Sequence, residues 1–68
     1  MLSLMVNGSQ FTCRNASATI ADLIRELALE GKRVAVEHNG EIVPRSRHAH
    51  TELTTGDRIE VVAAVGGG

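Results

Sequence analysis

One stretch of this chain carries helical periodicity. Ile20, Leu23, Ile24 and Leu27, with Ala28 at the margin, recur at three- and four-residue spacing, while Asp22, Arg25, Glu26 and Glu30 fall off the stripe. Thr19 stands in front as an N-cap, and Asp22 follows three residues later as a weaker form of the capping box. Gly31 is placed to end the helix in a left-handed conformation. The other apolar stretches alternate with period two, as strands do. One helix covers one face of a sheet and no more. The predicted fold is therefore a two-layer α+β domain, with the helix packed on one face of a mixed sheet of four to five strands.

The strands are delimited by their turns. Leu2, Leu4 and Val6 alternate with Ser3, Met5 and Asn7, and Asn7-Gly8 is a strong hairpin signal because both positions tolerate positive φ. Gln10 to Cys13 is the return strand, with Phe11 and Cys13 on one face. Asn15 to Ala18 connects to the helix. Val34 to His38 is a third strand, Asn39-Gly40 a second hairpin turn, and Glu41-Ile42-Val43 a short fourth strand that Pro44 stops. Arg45 to Thr55 is irregular and polar, with Leu53 its one large apolar anchor. Thr55-Gly56-Asp57 is a turn, and Arg58 to Val62 is the last strand, with Ile59 and Val61 on one face. The expected division is a folded domain over 1–63 and a flexible tail over 64–68.

Size limits the chemistry. A chain of 68 residues buries only about 60% of its unfolded surface, which leaves little room for a deep catalytic pocket. The expectation is a protein that is not an enzyme. Net charge is −1 and Phe11 is the one aromatic, so there is neither a basic footprint nor a stacking platform for nucleic acid. No apolar run approaches membrane-spanning length, and Met1 to Val6 lacks the basic start and long apolar core of a signal peptide. The lone Cys13 cannot form an internal disulfide. A cytoplasmic location is expected.

The chemistry-bearing feature is Gly66-Gly67-Gly68, directly after a β-rich stretch. A carboxylate at the tip of a side-chain-free tail can enter a narrow channel in another protein. From Val62 to Gly68 the extended reach is about 20 Å. Inside, the carboxylate can be activated by ATP as an acyl-adenylate and then attacked by a nucleophile. A side chain near the tip would block the channel, so Gly66 and Gly67 keep the approach clear.

A hairpin, a helix, further strands and a terminal Gly-Gly resemble the ubiquitin-like β-grasp family. Two runs, Val34 to Arg45 and Thr54 to Gly68, are similar to the sulfur carriers of thiamin (thiazole) biosynthesis, and the resemblance covers essentially the whole chain. Gly-Gly specifies only the carrier class. The Asn-Gly turn leading into Val43-Pro44-Arg45, and the Gly56-Asp57 turn, point to the thiamin member. His38 departs from the family by standing where an apolar residue often precedes Asn-Gly.

The resemblance implies a β-grasp fold with first and last strands parallel at the sheet centre. It implies an adenylyltransferase of the ubiquitin-activating type that uses ATP and magnesium to adenylate Gly68, with no cofactor bound by the carrier. It implies sulfur from a cysteine desulfurase relay, a C-terminal thiocarboxylate on Gly68, and thiazole synthase as acceptor. The alternatives are a small subunit of molybdopterin synthase, a protein modifier conjugated to lysines through Gly68, and a ubiquitin-like regulatory or RNA-associated module.

Other residues carry lesser expectations. Cys13 reads as core. His48 and His50, even with His38, lack the ligand number of a zinc site and read as a polar exposed loop, so no metal is expected. Candidate partner contacts are Arg45, Arg47 and Arg58, with Met5 and Val62 on the outer face of the sheet.

Overall fold

Two tight turns with asparagine in the left-handed region frame the sheet. The computed structural model describes residues 1–63. Strand β1 (Leu2–Val6) returns through Asn7 and Gly8, at φ 51° and 82°, into the antiparallel β2 (Ser9–Cys13). Strand β3 (Val34–His38) returns through Asn39 and Gly40, at φ 52° and 88°, into β4 (Glu41–Val43). Paired positive φ matches the right-handed twist of the flanking strands, which Asn-Gly satisfies at little steric cost. Strand β5 (Arg58–Ala63) lies between the two hairpins, parallel to β1 and antiparallel to β3, so the order is β2-β1-β5-β3-β4. The five-stranded mixed sheet and the parallel first and last strands are as expected.

Helix α1 (Ile20–Glu26) covers one face. Its capping box is complete: Asp22 N–H donates to Thr19 Oγ1 at 3.3 Å, and Thr19 N–H donates to Asp22 Oδ2 at 2.9 Å. Asp22 at N3 is thus long enough to close the box in place of the usual glutamate. Ile20, Leu23 and Ile24 form one core with Leu2, Leu4, Val6, Cys13, Val36, Ile59 and Val61, completed by Ala18 and Leu53, whose backbones are joined by Leu53 N–H donating to Ala18 O at 2.8 Å. Phe11, Leu27, Leu29, Val34 and Val43 line the margin.

The helix ends a turn before Gly31. Ala28 N–H donates to Arg25 O and Leu29 N–H to Ile24 O, both at 3.0 Å, the bond pair of a Schellman motif with Ala28 as its left-handed residue at φ 61°. The expectation that Gly31 terminates the helix is corrected: Gly31 is left-handed at φ 84° but sits in the following turn. Ala28 is exposed and does not extend the apolar stripe. Turning Leu29 toward the core margin needs the reversal at residue 28. A Cβ in that conformation costs roughly 1–2 kcal/mol. Ala28→Gly, discounted for the greater freedom of glycine in the unfolded chain, is expected to stabilise the fold by about 0.5–1 kcal/mol in urea melts. Destabilisation would contradict the motif.

The segment after β4 is also corrected. Arg45–His50 is a 3-10 helix, not irregular chain. Pro44, at φ −65°, caps its start, and Arg47 N–H donates to Pro44 O at 2.9 Å. The turn seats His48 against α1 at 6% exposure, where its Nε2–H donates to Val43 O at 3.1 Å. Hence His48 is a buried wedge with its polar edge satisfied, and only His50 matches the expected exposed loop.

Candidate functional site

The glycine run expected to carry the chemistry, Gly66, Gly67 and Gly68, lies outside the described residues, as do Ala64 and Val65. What the structure describes is the strand that leads to it. β5 is the central strand, so its backbone has a neighbour on each side. Toward β3, the residues from Arg58 to Ala63 lie alongside Asn39 back to Val34. Toward β1, Met5 N–H donates to Asp57 O and Asn7 N–H to Ile59 O, each at 2.9 Å. Beyond that point β1 has turned away, and the Asn7 side chain takes over. Its Nδ2 donates to Val61 O at 3.1 Å and its Oδ1 accepts from Val61 N–H at 2.8 Å. The approach to the glycines therefore starts from a strand held along both edges.

The start of β5 is tied by a second polar group. Asp57, with its side chain 14% exposed, accepts from His38 Nε2 at 2.8 Å, from Thr54 N–H at 2.8 Å and from Asn39 Nδ2 at 3.1 Å. Asn39 Oδ1 accepts from Arg58 N–H at 2.8 Å. Burial on its own raises the Asp57 pKa, but the His38 hydrogen bond, the Thr54 and Asn39 bonds and the His38 charge outweigh it and hold the carboxyl below its ordinary value. His38, the residue that departs from the family pattern, is therefore the ring that buttresses this carboxylate.

A carboxyl with a lowered folded-state pKa stabilises the fold fully above its unfolded-state value, about 4, and loses that contribution as pH falls through the folded-state value. Asp57→Asn is expected to lower the urea midpoint at neutral pH, with the gap from wild type closing below about pH 4. A gap that stays constant through the acid limb would mean that the charge of Asp57 does not contribute.

The remaining candidates separate. Cys13 is 2% exposed, and its thiol is pushed up by burial, then by the hydrogen bond and charge of Glu26 and the charge of Asp22. It is core, as expected, and stays protonated. His38, His48 and His50 do not converge: one faces Asp57, one Val43 O, and one solvent. Among the described residues no three His, Cys, Asp or Glu side chains are placed to hold a metal ion, and no helix is long and apolar enough to cross a membrane.

Arg45, Arg47 and Arg58 are all exposed but form no single patch. Arg45 lines a cleft beside the end of α1, Arg47 one beside His38 and Ile42, and Arg58 one beside Glu37 and Glu60 on the outer face. That outer face also presents Met5 and Val62, at 41% and 64% exposure, and Ile42, which the sequence reading did not single out. In the sequence Asn7 shows only as a turn residue. Its contact with Val61 lies 54 positions away in sequence, beyond any local pattern.

Known proteins share both the sequence and the fold. The ThiS family matches residues 4–68. The sulfur carrier protein ThiS of Bacillus subtilis is 42% identical over 96% of this chain and 98% of its own length. A protein named thiazole synthase from Paramagnetospirillum magneticum is 44% identical over 98% of this chain, which spans only 20% of that protein. The crystal structure of the thiamine biosynthesis protein ThiS from Geobacter metallireducens superposes with a TM-score of 0.83 at 32% identity, covering 98% of this chain and 100% of the other. A β-grasp sheet with one helix, matched in fold and sequence over nearly all of the chain, places it in the ThiS family, the sulfur carriers of thiamin biosynthesis.

Proposed function

We propose that the carrier works through the carboxylate of Gly68. An adenylyltransferase of the ubiquitin-activating type joins that carboxylate to the α-phosphate of ATP, with magnesium on the phosphates, and pyrophosphate leaves. A sulfur nucleophile supplied by a cysteine desulfurase relay adds to the acyl carbon, the bond to AMP breaks, and a thiocarboxylate remains once the donor's own sulfur bond is cleaved by a thiol. Thiazole synthase then accepts the sulfur. The carrier is a co-substrate of both partners, binds no cofactor and acts in the cytoplasm.

One observation carries this reading: the family match continues through residue 68 and so takes in Gly66, Gly67 and Gly68. The fold supports it, since the strand leading to those residues is the central one. The relative named thiazole synthase supports the choice of acceptor, because tethering two modules in one chain raises their effective concentration for each other.

Intact mass spectrometry of the chain from its native host tests the proposal. The expected result is a fraction in which one C-terminal oxygen is replaced by sulfur, located on Gly68 by fragmentation. Isopeptide links from Gly68 to lysines of other proteins would instead identify a protein modifier. Sulfur passed to a molybdopterin precursor, and not to thiazole synthase, would overturn the acceptor.

A further inference from the structure

We infer that the outer edge of β2 is a self-association site: two copies of the chain join antiparallel along Ser9–Cys13, about a two-fold axis at Phe11, so that their sheets run on as one.

The sheet has two edge strands, β2 and β4. An edge strand presents a row of unpaired N–H and C=O groups, which short length, charge, proline or a bulge normally protects from further pairing. β4 has three of these devices: it is three residues long, it begins with Glu41, and Pro44 follows its end. β2 has none of them. It is five residues long, Ser-Gln-Phe-Thr-Cys, without charge or proline, and its register against β1 runs unbroken from Ser9 to Cys13.

The two-residue turn at Asn7-Gly8 makes Val6↔Ser9 a hydrogen-bonded pair, and such pairs alternate along an antiparallel ladder. Ser9, Phe11 and Cys13 therefore turn their backbone groups toward β1, and Gln10 and Thr12 turn theirs outward. Among the described residues no other backbone meets those outward groups. With the axis at Phe11, Gln10 of each copy faces Thr12 of the other. Each pair exchanges two hydrogen bonds, so four form and both edges are satisfied. Sliding the register by two residues sets Thr12 against Gly8 in the turn, or Gln10 against Arg14 beyond the strand, and keeps only two of the four inside both strands.

The side chains agree with this register. Phe11 is the one aromatic of the chain and stands half-buried at the margin of the core. At the centre of the pairing it meets its counterpart in a non-hydrogen-bonded pair, the closer kind, with Cα atoms about 4.5 Å apart. Aromatic cross-strand pairs are among the favourable ones. Arg14, just past the strand, falls opposite Gly8 of the second copy, so no like charges meet, and a net charge of −1 per chain repels little. The edge is thus its own complement in hydrogen bonds, side chains and charge, which is why a second copy is the partner it fits. β1 separates β2 from β5, so the central strand and the outer face stay open to other proteins. Two five-residue strands make a contact far smaller than the standard interface of about 1,600 Å², so the dimer is weak, with Kd about 0.1–1 mM.

Sedimentation equilibrium of the full chain under reducing conditions, from about 20 μM to about 2 mM, tests the inference. The mass is expected to rise from that of one chain toward that of two. Over the same range, amide exchange at Gln10 and Thr12 should slow about three- to sevenfold, while Ile42, on the β4 edge, is unchanged. The double variant Gln10→Lys with Thr12→Lys alters two exposed side chains and sets lysines of the two copies against each other. It is expected to keep the wild-type circular dichroism and to remain a single chain at about 2 mM. Phe11→Leu, which keeps an apolar side chain at the core margin, should raise Kd about threefold or more. A single-chain mass for the wild type up to about 2 mM would overturn the inference and leave the edge to a strand of another protein. A dimer that the two lysines do not weaken, or exchange that slows equally at Ile42, would overturn it by placing the contact elsewhere.

Discussion

Removing Gly68 is expected to abolish adenylation by the activating partner, with ATP–pyrophosphate exchange falling more than about 100-fold. The physical argument is reach. One residue of extended chain is about 3.3 Å, and its loss withdraws the carboxylate from the α-phosphate by that distance. The shortened chain still ends in a carboxylate, that of Gly67, but one residue short of the position the reaction needs. Adding one bulky residue after Gly68 is expected to block the reaction as completely, by overfilling the channel. Gly67→Ala should weaken it less, since a methyl group meets the channel wall but the carboxylate keeps its place. Folding is expected to be the same in all three, because the core comprises residues between Leu2 and Val61. Exchange at the wild-type rate after removal of Gly68 would place the reacting group elsewhere.

The largest effect on stability is expected at Leu23. It is 0% exposed, in the middle of the α1 stripe, where it packs against strands that meet only in the folded chain. Leu→Ala in such a site costs about 2–5 kcal/mol, because the removed atoms leave a cavity that the surroundings fill only in part. A domain of this length has a total stability of about 3–10 kcal/mol. Leu23→Ala should therefore lower Tm by roughly 8–40 °C, or leave the chain unfolded at growth temperature. Val62→Ala, at 64% exposure on the outer face, should cost less than about 0.5 kcal/mol. Equal losses at the two positions would mean that the helix does not cover the face assigned to it.

Much of the architecture was legible because it is local. The alternation in Leu2–Val6 and the two Asn-Gly turns set both hairpins, and Thr19 with Asp22 marked the first turn of α1. The helix end was misread because glycine is the usual left-handed residue, and Gly31 drew the boundary away from Ala28. The actual boundary depends on Leu29 reaching the core margin, which outweighs the strain at Ala28. The 3-10 helix left one unused signal: Pro44 has the fixed φ that suits a helical start. His48 left none, because histidine is as common outside as inside and its hydrogen bond is to a backbone carbonyl.

The sequence alone determined the two-layer α+β class, the face that β1, β2 and β5 turn inward, and the glycine run in which the proposed chemistry resides. Period two and period 3.6 specify which side of an element is apolar, and turn chemistry specifies where an element reverses. Neither specifies a neighbour. Only the tertiary structure decided that β5 lies between β1 and β3, that Asn7 and Asn39 grip it at two points, and that His38 supports Asp57. Those side-chain contacts join residues 19 to 54 positions apart. They exist because the helix must bury its stripe against strands from both hairpins at once, and that requirement belongs to the whole core and not to any segment of it.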